Sequence, residues 1–286
     1  MAELETLIED IYGLFNKQED VVANEEFLDQ MGEAMKGAVR EALLAQGKRG
    51  ALRFSALGKP DRQLWYDEHL DPAEAEEMQP EAYIKFLYGH LIEAMVLFLA
   101  KQAGHDVSCE QEQVDVDGVK GHMDSVIDGV LVDVKSASPF SFKKFSAGEL
   151  QPEDDAFGYI RQLSGYATVK GLPAAFLAID KVSGKLCISP LSEYAIKGHP
   201  PAPRIEHLRG VLASDTPPPR CFPEEADGKS GNKKLGLNCS YCKWKFKCWD
   251  DANGGKGLRK FIYSTGPRFL TNVVREPDVY EANANG

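Results

Sequence analysis

The sequence predicts an α/β protein: helices first, then a mixed sheet flanked by helices, then a cysteine-bearing C-terminal segment. Three observations predict it. Apolar residues recur at helical spacing up to about residue 104. From 106 to 136 the period switches to two, with Asp117-Gly118 and Asp128-Gly129 as turn signals. A further helical stretch and a strand pair then follow, and that order describes helices layered on a sheet.

Each element has its own signal. Residues 3–16 place Leu4, Leu7, Ile8, Ile11, Leu14 and Phe15 at helical spacing. Asn24 reads as the N-cap of a second helix with Phe27, Met31, Met35, Val39 and Leu43 on one side. Ser55 is the expected cap of a short helix through Trp65 and Tyr66. A long helix begins after Pro80 and stops before Gly104, with Ile84, Leu87, Leu91, Met95 and Phe98 as its stripe. Three strands are expected near 107–116, 119–127 and 130–136. A helix over roughly 155–170 stops at Gly171, and strands 174–181 and 185–190 flank Ser183-Gly184. The expected organisation is an acidic helical region 1–50, a core 51–199, a Pro-rich connector 200–220 and a cysteine segment with tail 221–286.

Composition bounds the function. Among 286 residues, 43% are hydrophobic and 27% charged, a globular balance rather than a disordered one. No uninterrupted apolar run approaches the ~20 residues of a membrane span, so no membrane partner is expected. The stretch MAELETLIED has no secretory-signal layout, which points to the cytoplasm, or a host cytoplasm if the protein is viral. Six cysteines there read as thiols or metal ligands rather than disulfides. The net charge is −11, and residues 1–100 alone, with 9 basic and 20 acidic side chains, account for it. That acidic region is a candidate protein-binding surface. Lys229, Lys233, Lys234, Lys243, Lys245 and Lys247 form a strip free of acids, either a solvated face or a track for a phosphate backbone.

The chemistry-bearing residues lie in GHMDSVIDGVLVDVKS. Asp133 and Lys135 are two apart and share one face of a strand. A hairpin can bring Asp124 beside Asp133, and two carboxylates with a backbone carbonyl, that of Val134, make a hard-oxygen site suited to Mg²⁺ or Mn²⁺. Lys135 beside such an ion could orient water or stabilise charge on a phosphate. The bland alternative is a half-exposed strand with turn aspartates. Glu93 is the one acid between Glu81 and Asp106 and sits in an apolar stretch, where a carboxylate is costly unless paired or bound. Gln162 and Tyr166 are four apart on one helix face.

Gly89-x-x-x-Glu93, Gly121-x-x-Asp124, Asp133-x-Lys135 and Gln162-x-x-x-Tyr166 together resemble, in order and spacing, the RecB-like branch of the PD-(D/E)xK nucleases. The resemblance covers about residues 50–250. It implies a restriction-endonuclease-like sheet and a metal-dependent DNA exonuclease acting on DNA with a free end. Glu93, Asp124 and Asp133 would be the metal-site acids, Lys135 the catalytic lysine, and Gln162 and Tyr166 the supporting pair. His90 and His122 flank these motifs; His90 is a possible accessory or a plain helix-surface residue.

Cys221, Cys239, Cys242 and Cys248 read C-x17-C-x2-C-x5-C, a metal site of either zinc or iron–sulfur type. Cys109 and Cys187 are expected to be buried thiols in strands. Iron–sulfur nucleases of the same branch, including CRISPR-associated exonucleases, resemble this chain in ending C-x2-C-x5-C, which implies a 4Fe–4S cluster. Their first cysteine lies near the motif that SALGKPDRQLWY resembles, where this chain has Pro60. Either Cys221 takes over as fourth ligand or zinc replaces the cluster. The competing functional readings are a non-catalytic DNA-binding module, a four-cysteine interaction module of a larger complex, and a CRISPR adaptation nuclease rather than a viral or repair one.

Overall fold

The computed structural model describes residues 3–16, 21–44, 52–148, 150 and 155–282. The chain divides into two compact units. The first comprises Met1–Gly58, Gln79–Pro152 and Gly158–Ile205, and the second Lys59–Met78, Glu153–Phe157 and Glu206–Gly286. In chain order the longer helices are α1 (Leu7–Gly13), α2 (Glu25–Leu44), α3 (Asp61–His69), α4 (Pro80–Gln102), α5 (Pro139–Ser146), α6 (Tyr159–Lys170), α7 (Glu193–Gly198) and α8 (Pro201–Leu212). The architecture is mixed α/β with several sheets.

In the first unit, Asn24 caps α2 as expected, its Oδ1 accepting from the amides of Glu26 at 3.0 Å and Phe27 at 3.3 Å. Pro80 opens α4 at a position where its missing N–H costs nothing. The core-facing stripe of α4 is not the expected one. Ile92, Met95, Val96, Leu99, Ala100 and Ala103 face the core, while Ile84 is exposed. The C-terminal half of α4 is apolar nearly all round, so several stripes fit the sequence and packing selects one. Over its most apolar window α4 also has a mean hydropathy of 1.4, enough by length and composition to cross a membrane. Averaging over a window passes through His90 and Glu93, which interrupt the run.

Five strands, not three, occupy 107–137: β1 (Val107–Ser108), β2 (Gln113–Val116), β3 (Val119–His122), β4 (Ser125–Ile127) and β5 (Val130–Ala137). The first expected strand breaks because Cys109 and Gln111 take positive φ, at 54° and 51°. Both Asp-Gly pairs do form tight turns, with φ of 51° and 80° at Asp117-Gly118 and 48° and 81° at Asp128-Gly129. The hairpin β2–β3 is a sheet of its own. The main sheet has order β1-β4-β5-β6-β7, with β6 at Ala174–Asp180 and β7 at Leu186–Pro190. Within it only β5 and β6 run parallel. Their link is a crossover through α5, which the sequence reading missed, and α6. One face of the sheet presents Val132, Val134, Ala175 and Leu177 to a core shared with Leu7, Ile11, Val96 and Ala100. By alternation, Leu131, Asp133, Lys135 and Ala137 occupy the other face.

The expected connector 200–220 is largely helical. Pro201 and Pro203 fall in the first turn of α8, where proline is tolerated. The expected tail is a second five-stranded sheet of order β12-β10-β11-β9-β8. Its strands are β8 (Glu224–Ala226), β9 (Lys233–Leu235), β10 (Arg259–Tyr263), β11 (Gly266–Asn272) and β12 (Glu281–Ala282), all antiparallel. Single-turn helices at Leu237–Ser240, Lys245–Cys248 and Ala252–Gly255 carry two of the cysteines or follow them. In this second unit α3 starts at Asp61 with Pro60 as its N-cap, so Ser55 lies instead in a preceding 3₁₀ turn, Phe54–Ala56.

Candidate functional site

Strand β5 brings its charged pair together as the two-residue spacing predicts. Asp133 is 4% exposed, and its Oδ2 lies 2.5 Å from Lys135 Nζ. That oxygen is buried, and beyond the Lys135 ammonium it has no further donor. A buried carboxylate oxygen balanced by charge alone is costly unless something else occupies it. Burial acts against the charge on Lys135, but the carboxylates of Asp133 and Asp124 outweigh it and raise the ammonium's pKa. The ammonium also sits over the ring of Tyr159, 4.6 Å from its centre.

Asp124 precedes β4, and its Oδ2 accepts the amide of Val134 at 2.8 Å. The β4–β5 ladder ends at Ser125↔Val132, which frees that amide. In a strand the N–H and C=O of one residue point to the same side, so the Val134 carbonyl also faces Asp124. Burial, then the charges of Asp133 and Glu93, hold the Asp124 carboxyl well above its ordinary range. Glu93 comes from α4, accepts from Gln111 Nε2 at 2.7 Å, and is likewise raised by burial and by Asp133. His90 Nδ1 is 4.0 Å from Glu93 Oε2. His122 is exposed on β3. The three acids therefore feel one another electrostatically. Among the described residues, no three His, Cys, Asp or Glu side chains are placed to hold one ion.

Helix α6 closes the site with an aromatic layer. Tyr166 is 2% exposed, stacked on Phe54 at 4.7 Å. Burial pushes its phenol up to about 12, against the hydrogen bond from Gln162, and Asp133 and Asp124 add to the rise. Gly121 has a packing reason: a Cβ there would lie 2.3 Å from Phe54 Cβ and 2.5 Å from the Tyr166 hydroxyl. The sequence reading named Gln162 and Tyr166 but missed Tyr159, Phe54 and Gln111. Tyr159 was within reach, since 159, 162 and 166 share a helical stripe. Gln111 carries no sequence signal.

The cysteine segment belongs to the second unit. Cys242 and Cys248 pack against Trp65, Tyr66 and Trp244, while Cys239 and Cys248 pack against Trp249, Leu235 and Phe269. Burial pushes the Cys239 thiol up to about 12, and Cys248, Cys242 and Cys221 add to it. Burial likewise raises Cys242 to about 11, although the Trp244 amide bonds its sulfur. Cys221 is raised by burial, while the amides of Arg62 and Asp61 donate to its sulfur. Its thiol thus sits at the start of α3, beside Pro60. Arg220 stacks on Trp249 at 4.1 Å and donates to the Cys248 carbonyl at 2.7 and 3.0 Å. Cys187 lies in β7, half-buried, but Cys109 is exposed in a turn rather than buried in a strand.

The lysine strip is mostly paired. Lys233 meets Glu224, Lys234 meets Glu225, and Lys243, Lys245 and Lys247 meet Asp67, Glu76 and Glu74. Lys245 is buried at 3% exposure. An acid-free run in sequence is neutralised here by acids outside it, Glu224 and Glu225 nine residues before their lysines and Asp67, Glu74 and Glu76 far along the chain.

No protein-family model matches the chain, and no curated protein matches it. Among solved structures, one described as the crystal structure of SSO0001 superposes with a TM-score of 0.42 and 13% identity, over 74% of this chain and 93% of that one. The functional reading therefore rests on the residues of the site.

Proposed function

We propose that the chain is a Mg²⁺- or Mn²⁺-dependent deoxyribonuclease with a restriction-endonuclease-like core of the RecB-like type, acting on DNA with a free end. The observation that carries this reading is Asp133. Its Oδ2 is buried with no donor besides the Lys135 ammonium, near the desolvated Asp124. Like charges gathered in a buried site are retained where they do chemistry. Glu93, Asp124, Asp133 and the Val134 carbonyl would hold the cation, an all-oxygen donor set whose chemistry suits a hard ion, although among the described residues the three carboxylates are not gathered around one point. Such an ion supplies Lewis acidity and an activated water when bound. The chain's own residues do the rest. The Val134 amide fixes Asp124 Oδ2 and leaves Oδ1 for the cation. Lys135, kept charged by its carboxylates and steadied over Tyr159, stabilises charge developing on the phosphate. Gln162 and Tyr166 pack behind it and keep bulk water from that side.

Cys221, Cys239, Cys242 and Cys248 would hold a 4Fe–4S cluster, with zinc as the alternative. Thiols that sense one another, amides aimed at sulfur and a surround of Trp65, Trp244 and Trp249 support either group by chemistry, although among the described residues no three of the thiols are gathered around one point. Cys221 lies in space where the resemblance expects a cysteine in sequence, at Pro60 and the start of α3. The decisive experiment is digestion of end-labelled linear and closed circular DNA with added Mg²⁺ or Mn²⁺. Release of label from linear DNA alone is expected. No cleavage of either substrate by metal-loaded protein would overturn the reading.

A further inference from the structure

The N-terminal half of α4 exposes large apolar side chains that the fold does not use. Tyr83 is 56% exposed and Phe86 60%. Ile84 and Tyr88 are also exposed, on another side of the helix. Spacings of three, four and three place Tyr83, Phe86, His90 and Glu93 on one stripe. At 1.5 Å per residue the stripe spans about 15 Å, room for about four stacked nucleotides at 3.4 Å each. It therefore runs from solvent to a candidate metal-site acid along a single rigid helix.

Three features argue for what covers it. The stripe ends at Glu93, which accepts from Gln111 and senses Asp133 and Lys135, so it is continuous with the candidate site. Its outer members are aromatic rings rather than aliphatic chains, and an exposed ring face suits a flat partner. In a chain of net charge −11, the segment from Ala82 to Ala103 carries one acid, Glu93 itself, together with Lys85, His90 and Lys101. Between Tyr83 and Glu93 the helix itself presents no carboxylate; Glu81 lies just before the stripe, and Glu41 of α2 lines the hollow beside His90 and Glu93. Paired bases present only their edges, whereas unpaired bases present faces that stack on aromatic rings.

We infer that Tyr83 and Phe86 are substrate-positioning residues, a stacking platform that holds unpaired bases of a nucleic acid strand and delivers it along α4 toward Glu93. This rests on the nuclease reading and adds to it residues outside the four motifs. His90, with 64% of its side chain exposed, is the inner step of the stripe.

The test measures binding of a fluorescein-labelled oligothymidylate and of a blunt duplex of equal length, by anisotropy, with Ca²⁺ in place of Mg²⁺. The proteins are the full chain and its Tyr83→Ala/Phe86→Ala and Tyr83→Trp/Phe86→Trp variants. Both positions are exposed, so circular dichroism and the melting temperature should not change. Single-strand affinity should fall about five- to 150-fold per ring removed and recover with tryptophan, while duplex affinity moves far less. Equal binding of the single strand by wild type and the alanine variant would overturn the platform and leave the nuclease reading standing. Equal losses on both probes would overturn stacking in the same way. A dimer that dissociates in the alanine variant with unchanged oligonucleotide binding would assign the face to a second copy instead. If wild type neither binds nor cleaves any probe, both readings fall together.

Discussion

The carboxylate–lysine centre stands on a sheet whose core is complete without it, whereas the cysteines are themselves part of the core they stand in. Val132, Val134 and Leu177 close the first unit's core on one face of the sheet, and Asp133 and Lys135 ride on the opposite face of the same strands. Removing a charge there leaves that packing untouched. In the second unit, Cys239, Cys242 and Cys248 lie among Trp65, Trp244, Trp249 and Phe269, side chains that make up two small apolar clusters. One fold carries a candidate site on a packed sheet; in the other the candidate ligands are themselves part of the packing. The difference predicts opposite consequences for mutations of equal chemical severity.

The largest effect should fall on chemistry; Lys135→Ala, which leaves Asp133 buried without its cation, should also lower the melting temperature. Lys135→Ala or Asp133→Ala should reduce DNA cleavage on the order of 10³-fold or more, because transition-state charge loses its partner. The circular dichroism spectrum should remain that of wild type. Digestion of end-labelled DNA measures the first and thermal unfolding the second. Near-normal cleavage by either variant removes these residues from the mechanism.

The cysteines should behave the other way. Cys248→Ser sits in both apolar clusters and should cost metal and local structure together. Structural metal sites contribute about 10–16 kcal/mol of apparent binding energy in zinc peptides, far more than a small cluster can replace. Iron and zinc analysis of anaerobically purified protein, with limited proteolysis, reads both losses. Cleavage confined to residues 206–282 with 79–148 protected is the expected pattern. Burial holds the metal-free Cys239 and Cys242 thiols at about 12 and about 11, so metal must displace protons and loading should weaken as pH falls. Full metal retention by Cys221→Ser would move the fourth ligand away from the start of α3.

Asp124 sharpens the contrast, since here a variant should be more stable than wild type. Burial, then Asp133 and Glu93, raises its folded-state pKa. Between the ordinary carboxylate pKa and the raised one, the folded chain binds more protons than the unfolded chain. Stability therefore falls as pH rises through that window, and the cost persists at neutral pH. Asp124→Asn keeps an acceptor for the Val134 amide and removes the charge. Without divalent metal its melting temperature should rise, by about 2–4 °C for each kcal/mol regained. Added Mg²⁺ should stabilise wild type, by about 2.7 kcal/mol at a hundredfold excess over the dissociation constant, and leave the variant unchanged. A variant less stable than wild type at pH 7 would mean that Asp124 is a structural turn residue.

Much of the first unit was legible because its signals are local. Asn24, Pro80, Gly171 and the two Asp-Gly turns act on backbone within a few residues of themselves, so spacing alone places them. The Asp133–Lys135 pair was legible for the same reason, as a strand's two-residue period fixes it. What failed depended on long-range partners. The core stripe of α4 was chosen by packing. Cys109 was placed in a strand because its positive φ has no sequence mark. Helix α8 and the second sheet were hidden by prolines and by short strands of two to seven residues. Gln111 on Glu93 and the thiol of Cys221 at Pro60 join segments that no local pattern connects.

The lysine strip carries the smallest predicted effect, and the reason is the same long-range pairing. As a sequence it has no acid from Lys229 to Lys247, which invites a phosphate track. In the fold, Lys233 and Lys234 each pair with a neighbouring-strand glutamate, Glu224 and Glu225. An exposed pair of this kind is worth about 0–1 kcal/mol, so Lys233→Gln/Lys234→Gln should barely move the melting temperature. It should also leave the salt dependence of DNA binding unchanged, because a lysine held by a carboxylate releases no counterion from DNA. Each phosphate contact contributes about 0.9 to the slope of log affinity against log salt on duplex DNA. A slope reduced by close to two such contacts would show that DNA strips both lysines from their glutamates. Lys245 should stand apart: its ammonium is buried against Glu76 and the ring of Phe269, so Lys245→Gln should lower the melting temperature more than the exposed pairs do, although Glu76, 32% exposed, can still be solvated. That loss of stability would appear as unfolding of the cysteine unit and not as a change in DNA affinity.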